Sequence, residues 1–199
     1  MTAQAPLAAV VLDALAGAPD PGLDRAVGAG TAQRLRAELR AIARRWVAAV
    51  APGMAFEATS IAAAIAALSG HRGPVVLVAP DIPRLGSFHA DVLREDLAAG
   101  IGVVMGPSHD GLPYLAAFAE TETQAIELAG AGWDEMTAYA LERDVEAAML
   151  RAERRLVSAA DARALAHDPL TPAGLAAELR LLREDTDAGR RAPMSPGIG

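Results

Sequence analysis

The sequence predicts an α/β domain of three layers, a mostly parallel sheet between helices, with a helical C-terminus. Three observations carry this prediction. Short apolar runs (Leu7–Leu12, Val75–Ala79, Ile101–Gly106) alternate with helix-period stretches over the first two-thirds of the chain. The Val75 and Ile101 runs are near-continuously apolar, as strands covered on both faces must be. The composition is 52% hydrophobic but only 4% aromatic, so the core must be Ala, Leu and Val, which suits thin layers in close approach.

Taken in order, Leu7–Leu12 reads as a first buried strand; no positive segment precedes it, as a signal peptide would require. A loop, Ala16–Gly30, follows, with four Gly and two Pro. Thr31 is placed to cap a helix whose apolar positions Leu35, Leu39, Ile42, Trp46 and Val50 form one stripe, with Arg34, Arg36, Glu38, Arg40, Arg44 and Arg45 on the solvated face. Pro52-Gly53 ends it, and Met54–Ala58 reads as a short strand. Ser60 begins a helix, Ile61–Leu68, that is apolar all round and so expected to be buried. Gly70 and Gly73-Pro74 break it before the Val75 strand.

Ser87 is the expected cap of the next helix, with Phe88, Val92, Leu93 and Leu97 inward and Gly100 as the stop. Ile101–Gly106 and Tyr114–Phe118 read as strands. Beyond them the pattern is helical: Thr123–Ala129, Glu135–Leu156, Ala159–His167 and Pro172–Arg183. Ser158 with Asp161 makes a capping box, and Thr171-Pro172 a cap followed by Pro at the first helical position. Residues 1–184 are expected to form one domain, and the Gly-, Pro- and charge-rich stretch 185–199 a disordered tail.

Composition also excludes. The net charge is −7 and every base is arginine, with no lysine and no clustered positive surface, which argues against nucleic acid as a partner. The absence of cysteine removes disulfides, thiolate metal sites and Cys nucleophiles, and suits a cytoplasmic location. No apolar run reaches the roughly 18 residues a membrane span needs. An Ala-rich chain with an exposed apolar helix makes a homodimer an expectation.

The candidate site lies at the carboxyl ends of the Val75 and Ile101 strands, where open α/β sheets place ligands. Asp81, between Pro80 and Pro83, stands in a stiffened turn and suits a hard cation such as Mg²⁺ or Mn²⁺; it could equally serve only to cap that turn. Asp110, in G-P-S-H-D-G, carries the same pair of readings, with His109 beside it. The Gly17–Gly30 loop could cradle phosphate, but it matches no G-x-G-x-x-G or P-loop pattern, and Arg25 is its one positive charge. Trp133, after Gly130 and Gly132, either lines a pocket or packs.

The run V-V-L-V-A-P-D-I-P-R-L, a helix, and then I-G-V-V-M-G-P-S-H-D-G-L-P-Y-L resembles the rSAM/selenodomain-associated transferase family. That family, of unknown function, is related to GT-A glycosyltransferases (the nucleotide-diphospho-sugar transferase superfamily) and to small nucleotidyltransferases such as the phospholactate guanylyltransferases. Asp81, Pro83 and Leu85 match its D-x-P-x-L element. Gly106, Pro107, Asp110, Gly111 and Tyr114 match its G-P-x-x-D-G-G element, and Trp133 its later Trp motif.

The resemblance implies a GT-A-like fold and a divergent transferase that moves a glycosyl or nucleotidyl group from a nucleotide or nucleotide-sugar donor, with Mg²⁺ or Mn²⁺. It implies Asp81 as metal ligand, Asp110 as catalytic residue, and Arg25, Asp81, Gly106 and Gly111 around the nucleotide. Departures point the other way. The family's Lys-Thr-Arg portion is missing after A-P-D-P-G-L-D-R, and Leu112 replaces the second glycine of D-G-G. The nearest matches to its D-x-D-T-P-x-D-L element, Asp168–Pro172 and Arg155–Ser158, each lack acids. The alternative is therefore a catalytically degenerate domain that binds a ligand or protein, or is structural.

Overall fold

The computed structural model describes residues 5–180. Six strands form one sheet in the order β2-β1-β3-β5-β4-β6: β1 (Ala8–Leu12), β2 (Ala55–Ala58), β3 (Val75–Val78), β4 (Val103–Pro107), β5 (Pro113–Phe118) and β6 (Ala147–Met149). β1 pairs in parallel with β2 and β3, and β4 with β6; β5 alone runs antiparallel, between β3 and β4. Five strands therefore end on the same edge. The tight β4–β5 connection delivers its turn to that edge as well.

The described helices are α1 (Pro21–Val27), α2 (Ala29–Val50), α3 (Ile61–Ala67), α4 (Ser87–Ala98), α5 (Thr123–Glu127), α6 (Trp133–Glu142) and α7 (Ala159–His167), with a further helix from residue 173. They lie on both sides of the sheet: α2 contacts β1, β2 and α4, while α3 contacts α5 as well as β1 and β2. Val10, Val11, Val75–Val78, Val103, Val104 and Leu115 are fully buried at its centre. A second apolar cluster joins Leu23, Leu35, Leu39, Leu156, Leu165 and Leu175, clamping α1, α2 and α7 together. The three-layer α/β fold with a mostly parallel sheet and helical C-terminus is as the sequence predicts.

Several elements differ from expectation. The glycine-rich loop contains α1: Asp20 caps it by accepting from the Gly22 amide at 2.7 Å, Pro21 occupies the first helical position, and Leu23 is buried. Helix α2 starts at Ala29, so Thr31 is inside it and caps nothing. In α3 only Ala64 is buried; small alanines spread round the helix marked low polarity and not burial. Gly86, not Ser87, is the N-cap of α4, and Phe88 is 47% exposed.

The largest correction concerns Glu135–Leu156. Helix α6 stops at Glu142, Asp144 takes a positive φ of 54°, and the chain turns extended as β6. Tertiary pairing with β4 overrides the helix propensity of its alanines. Gly102 permits the approach: a Cβ there would sit 2.4 Å from Val145 Cγ2. The Ser158–Asp161 capping box forms as expected. Thr171 makes no cap bond, its buried Oγ1 having no hydrogen-bond partner among the described residues. The expected tail, 185–199, and the end of the Pro172–Arg183 helix lie outside the described residues.

Candidate functional site

Asp81 and Asp110 do converge at the carboxyl edge, and Arg155 stands between them. The β3 strand ends at Val78, so Asp81 falls in the turn beyond it, 8% exposed. Its Oδ1 accepts from Arg155 Nη1 at 2.9 Å and its Oδ2 from the Gly17 amide at 2.7 Å. Asp110, in the β4–β5 turn, accepts from the Ser108 hydroxyl and from the Leu112 amide at 3.0 Å; its Oδ2 lies 3.5 Å from Arg155 Nε.

Arg155 is 4% exposed, and each of its three nitrogens donates to the protein. Nε donates to Ser108 Oγ at 3.0 Å, Nη1 to the Leu15 carbonyl at 2.8 Å besides Asp81, and Nη2 to the Pro113 carbonyl at 2.8 Å. One planar guanidinium thereby ties the end of β1, the β3 turn and the β4–β5 hairpin together. The Leu156 amide donates to the Asp81 carbonyl at 3.1 Å, fixing the backbone beside it. Burial pushes the Asp81 carboxyl above its usual range, and the Arg155 charge and Gly17 amide pull it back only in part. Asp110 goes the other way: burial would raise it, but Ser108, Leu112 and Arg155 together hold it low.

A second cluster lies along the same segment. Glu153 is fully buried, and its Oε1 meets His89 Nε2 at 3.1 Å and Arg151 Nε at 2.6 Å. Arg84 Nε is 3.2 Å from Glu153 Oε2, an ion pair without hydrogen-bond alignment, and Arg84 Nη1 donates to Asp168 Oδ2 at 2.8 Å. Arg151 also lies 4.5 Å over the exposed Phe88 ring, and His89 packs edge-on against Tyr114.

The remaining sequence candidates have mainly structural surroundings. Gly106 makes room for Tyr114, whose Cζ would be 2.6 Å from an added Cβ; Gly111, at φ +83°, turns the hairpin. Arg25 donates to the Pro21 carbonyl of its own helix at 3.3 Å, and α1 packs on α2 and α7. The N-terminus of α1, where a phosphate would bind, is taken by the Asp20 carboxylate. His109 is exposed, and Trp133 packs against the core as the first residue of α6.

The donor set does not suit a divalent ion as it stands. Both Asp81 oxygens are engaged by protein donors, and a guanidinium charge already lies between the two carboxylates. Among the described residues no group of three or more His, Asp or Glu could hold a metal ion. Sequence reasoning missed Arg155, Glu153, His89, Arg151 and Arg84. The available signal was the two-residue period of Arg151, Glu153 and Arg155, which fits an extended segment.

No family model matches the sequence, and no curated protein matches it. In structure the chain is similar to a crystal structure from Desulfovibrio desulfuricans G20 described as a "putative nucleotide-diphospho-sugar transferase". The TM-score is 0.66 at 17% sequence identity, covering 95% of this chain and 98% of that one. The chain thus shares its fold with that structure. No helix among the described residues is long and apolar enough to cross a membrane.

Proposed function

We propose that this chain is a nucleotide-diphospho-sugar-transferase-like domain that works as a binding module at the carboxyl edge of its sheet, without metal-assisted transfer there. The class of ligand the fold suggests is a nucleotide or nucleotide sugar. One observation carries the reading: Arg155 lies between Asp81 and Asp110 with its donors committed to protein oxygens.

Group transfer from a nucleotide donor needs positive charge against the departing phosphate, an effect worth several kcal/mol. In the transferase suggested by the sequence, Mg²⁺ or Mn²⁺ on Asp81 would supply that charge, with Asp110 catalytic and Arg25 on the nucleotide. Here Arg155 is buried with each of its nitrogens bonded to protein oxygens, and Arg25 bonds its own helix. Arg155 is not free to face a phosphate. Binding is what remains.

A second reading, divalent-metal-dependent glycosyl or nucleotidyl transfer, is favoured by one fact: the two acids still meet at the edge where such folds place their ligands. Calorimetry and thermal shift with nucleoside diphosphates, triphosphates and nucleotide sugars, with and without Mn²⁺, separate the two. The binding module gives stabilisation indifferent to Mn²⁺ and no turnover. Metal-dependent stabilisation abolished in Asp81→Ala establishes the transferase. No shift with any nucleotide removes that ligand class and leaves a protein-binding or structural role.

A further inference from the structure

We infer that β6 is the contact through which two copies of this chain associate, its outer rim pairing antiparallel with the same strand of a second copy about a two-fold axis at Ala147. The inference stands apart from the carboxyl edge and its acids, and it requires no nucleotide to bind.

The two outer strands of the sheet are made differently. At one rim β2 carries Glu57, exposed and paired with Arg44 Nε at 2.8 Å and Arg40 Nη1 at 3.5 Å. Charge on an outer strand is how sheets discourage a further strand from adding. At the other rim β6 is Ala147, Ala148 and Met149, with no charge and no proline. Its neighbours in sequence are apolar and exposed as well. Leu141 is 75% exposed, Val145 37% and Met149 49%, so three of the six exposed large apolar side chains among the described residues fall within nine positions. That concentration on an unguarded strand points to a partner strand.

The backbone decides which groups are on offer. The Glu146 carbonyl accepts from the Gly102 and Val103 amides at 2.9 and 3.2 Å, and the Leu150 amide donates to the Met105 carbonyl at 2.8 Å. Even-numbered residues thus turn their amides and carbonyls towards β4, and Ala147 and Met149 turn theirs outward, where no described strand lies. The Val145 carbonyl points the same way, while its amide is taken by the Ala140 carbonyl at 3.1 Å. Antiparallel pairing about a two-fold axis lets this one rim serve both copies. With the axis at Ala147, the two Ala147 residues exchange amide–carbonyl bonds, and each Met149 amide meets the second copy's Val145 carbonyl. The directly opposed side chains are then Ala with Ala and Val with Met, all apolar. The same register sets Glu146 diagonal to its own counterpart at about 7–8 Å, two like charges that salt screens. Few paired positions make a small interface, under the roughly 1,200 Å² of a stable complex, so the association is weak and reversible.

The test is sedimentation velocity of the full chain at rising concentration, joined to cross-linking. Wild type should pass from one chain to two within the micromolar range, and more readily in high salt. Ala147→Pro removes an amide that β4 does not use, so it should melt near wild type while associating at least about tenfold more weakly. Met149→Lys, a charge on the rim, should weaken association to a similar degree. The chain has no cysteine, so Ala147→Cys adds one thiol per copy, at the axis. It should form a disulfide-linked dimer under mild oxidation, because directly opposed Cα atoms about 5.5 Å apart lie within disulfide reach. Glu57→Cys, on the opposite rim, should not. If Ala147→Pro fails to fold, Met149→Lys and the cross-link are read by the same criteria. A wild type that stays one chain at millimolar concentration overturns the inference. So does a dimer that survives Met149→Lys, or one that cross-links through Glu57→Cys and not through Ala147→Cys.

Discussion

Two knots of charge lie side by side on one edge of the sheet, and they are built in opposite senses. Around Arg155 a single cation is held by oxygens, and its donors find well-aligned partners. Around Glu153 a single anion is held by His89, Arg151 and Arg84, yet its Oε2 and Arg84 Nε lack an aligned hydrogen bond. The same extended segment supplies both centres, two residues apart. The difference shows that charge pairing and hydrogen-bond satisfaction are separate matters. A knot whose every nitrogen is hydrogen-bonded is a clamp; one with atoms left unaligned is held by charge.

The comparison breaks first at Arg155. Arg155→Met should cost about 3–5 kcal/mol, since it strands a buried carboxylate; chemical denaturation at pH 7 measures it. Glu153→Gln should cost less, about 2 kcal/mol, because Arg84 keeps Asp168 and Arg151 is partly exposed. An equal loss from both would erase the distinction between clamp and charge.

Their acids should also respond to pH with opposite sign. Asp81 is raised, mainly by burial, so the folded protein binds that proton more tightly than the unfolded chain does. Its contribution to stability therefore falls as pH rises from the usual carboxylate range through its folded value. Glu153 is held low: burial would raise it, but His89, Arg151 and Arg84 outweigh burial. Its contribution is present above the usual carboxylate range and is lost as pH falls through the folded value. Asp81→Asn should remove the first trend and Glu153→Gln the second, in stability curves measured between pH 3 and 7.

Smaller effects sharpen the picture. Gly106→Ala must push the buried Tyr114 ring away from β4 and should cost about 1–3 kcal/mol. Ser158→Ala removes the cap of α7 at about 1 kcal/mol. Thr171→Val, which replaces a buried hydroxyl lacking a partner among the described residues, should be neutral or stabilise by up to about 1 kcal/mol. Denaturant midpoints check all three.

The sheet was legible in the sequence because its strands are short, apolar and punctuated. Val75–Val78 and Val103–Pro107 have no competing reading at that length between turn residues. The edge strand β6 was not legible, since alanine runs favour a helix until a neighbouring strand offers its ladder. That error hid Arg151, Glu153 and Arg155, and with them the groups that surround the two aspartates. Asp81 and Asp110 were found from their place after strands. What lay between them depended on the pairing of β6 with β4, Val103 beside Ala147, and the local two-residue period of Arg151, Glu153 and Arg155 does not say which strand the segment joins. In the glycine-rich loop the Asp20-Pro21 start signal was present and outweighed by its glycines.

The most direct test of the central claim is a Mn²⁺ titration of the wild-type protein followed by electron paramagnetic resonance, alone and with a nucleotide sugar present. With Arg155 in place the free-ion signal should rise in proportion to added Mn²⁺, as if the protein were absent. A saturable loss of that signal, one ion per chain and abolished by Asp81→Asn, would contradict the account.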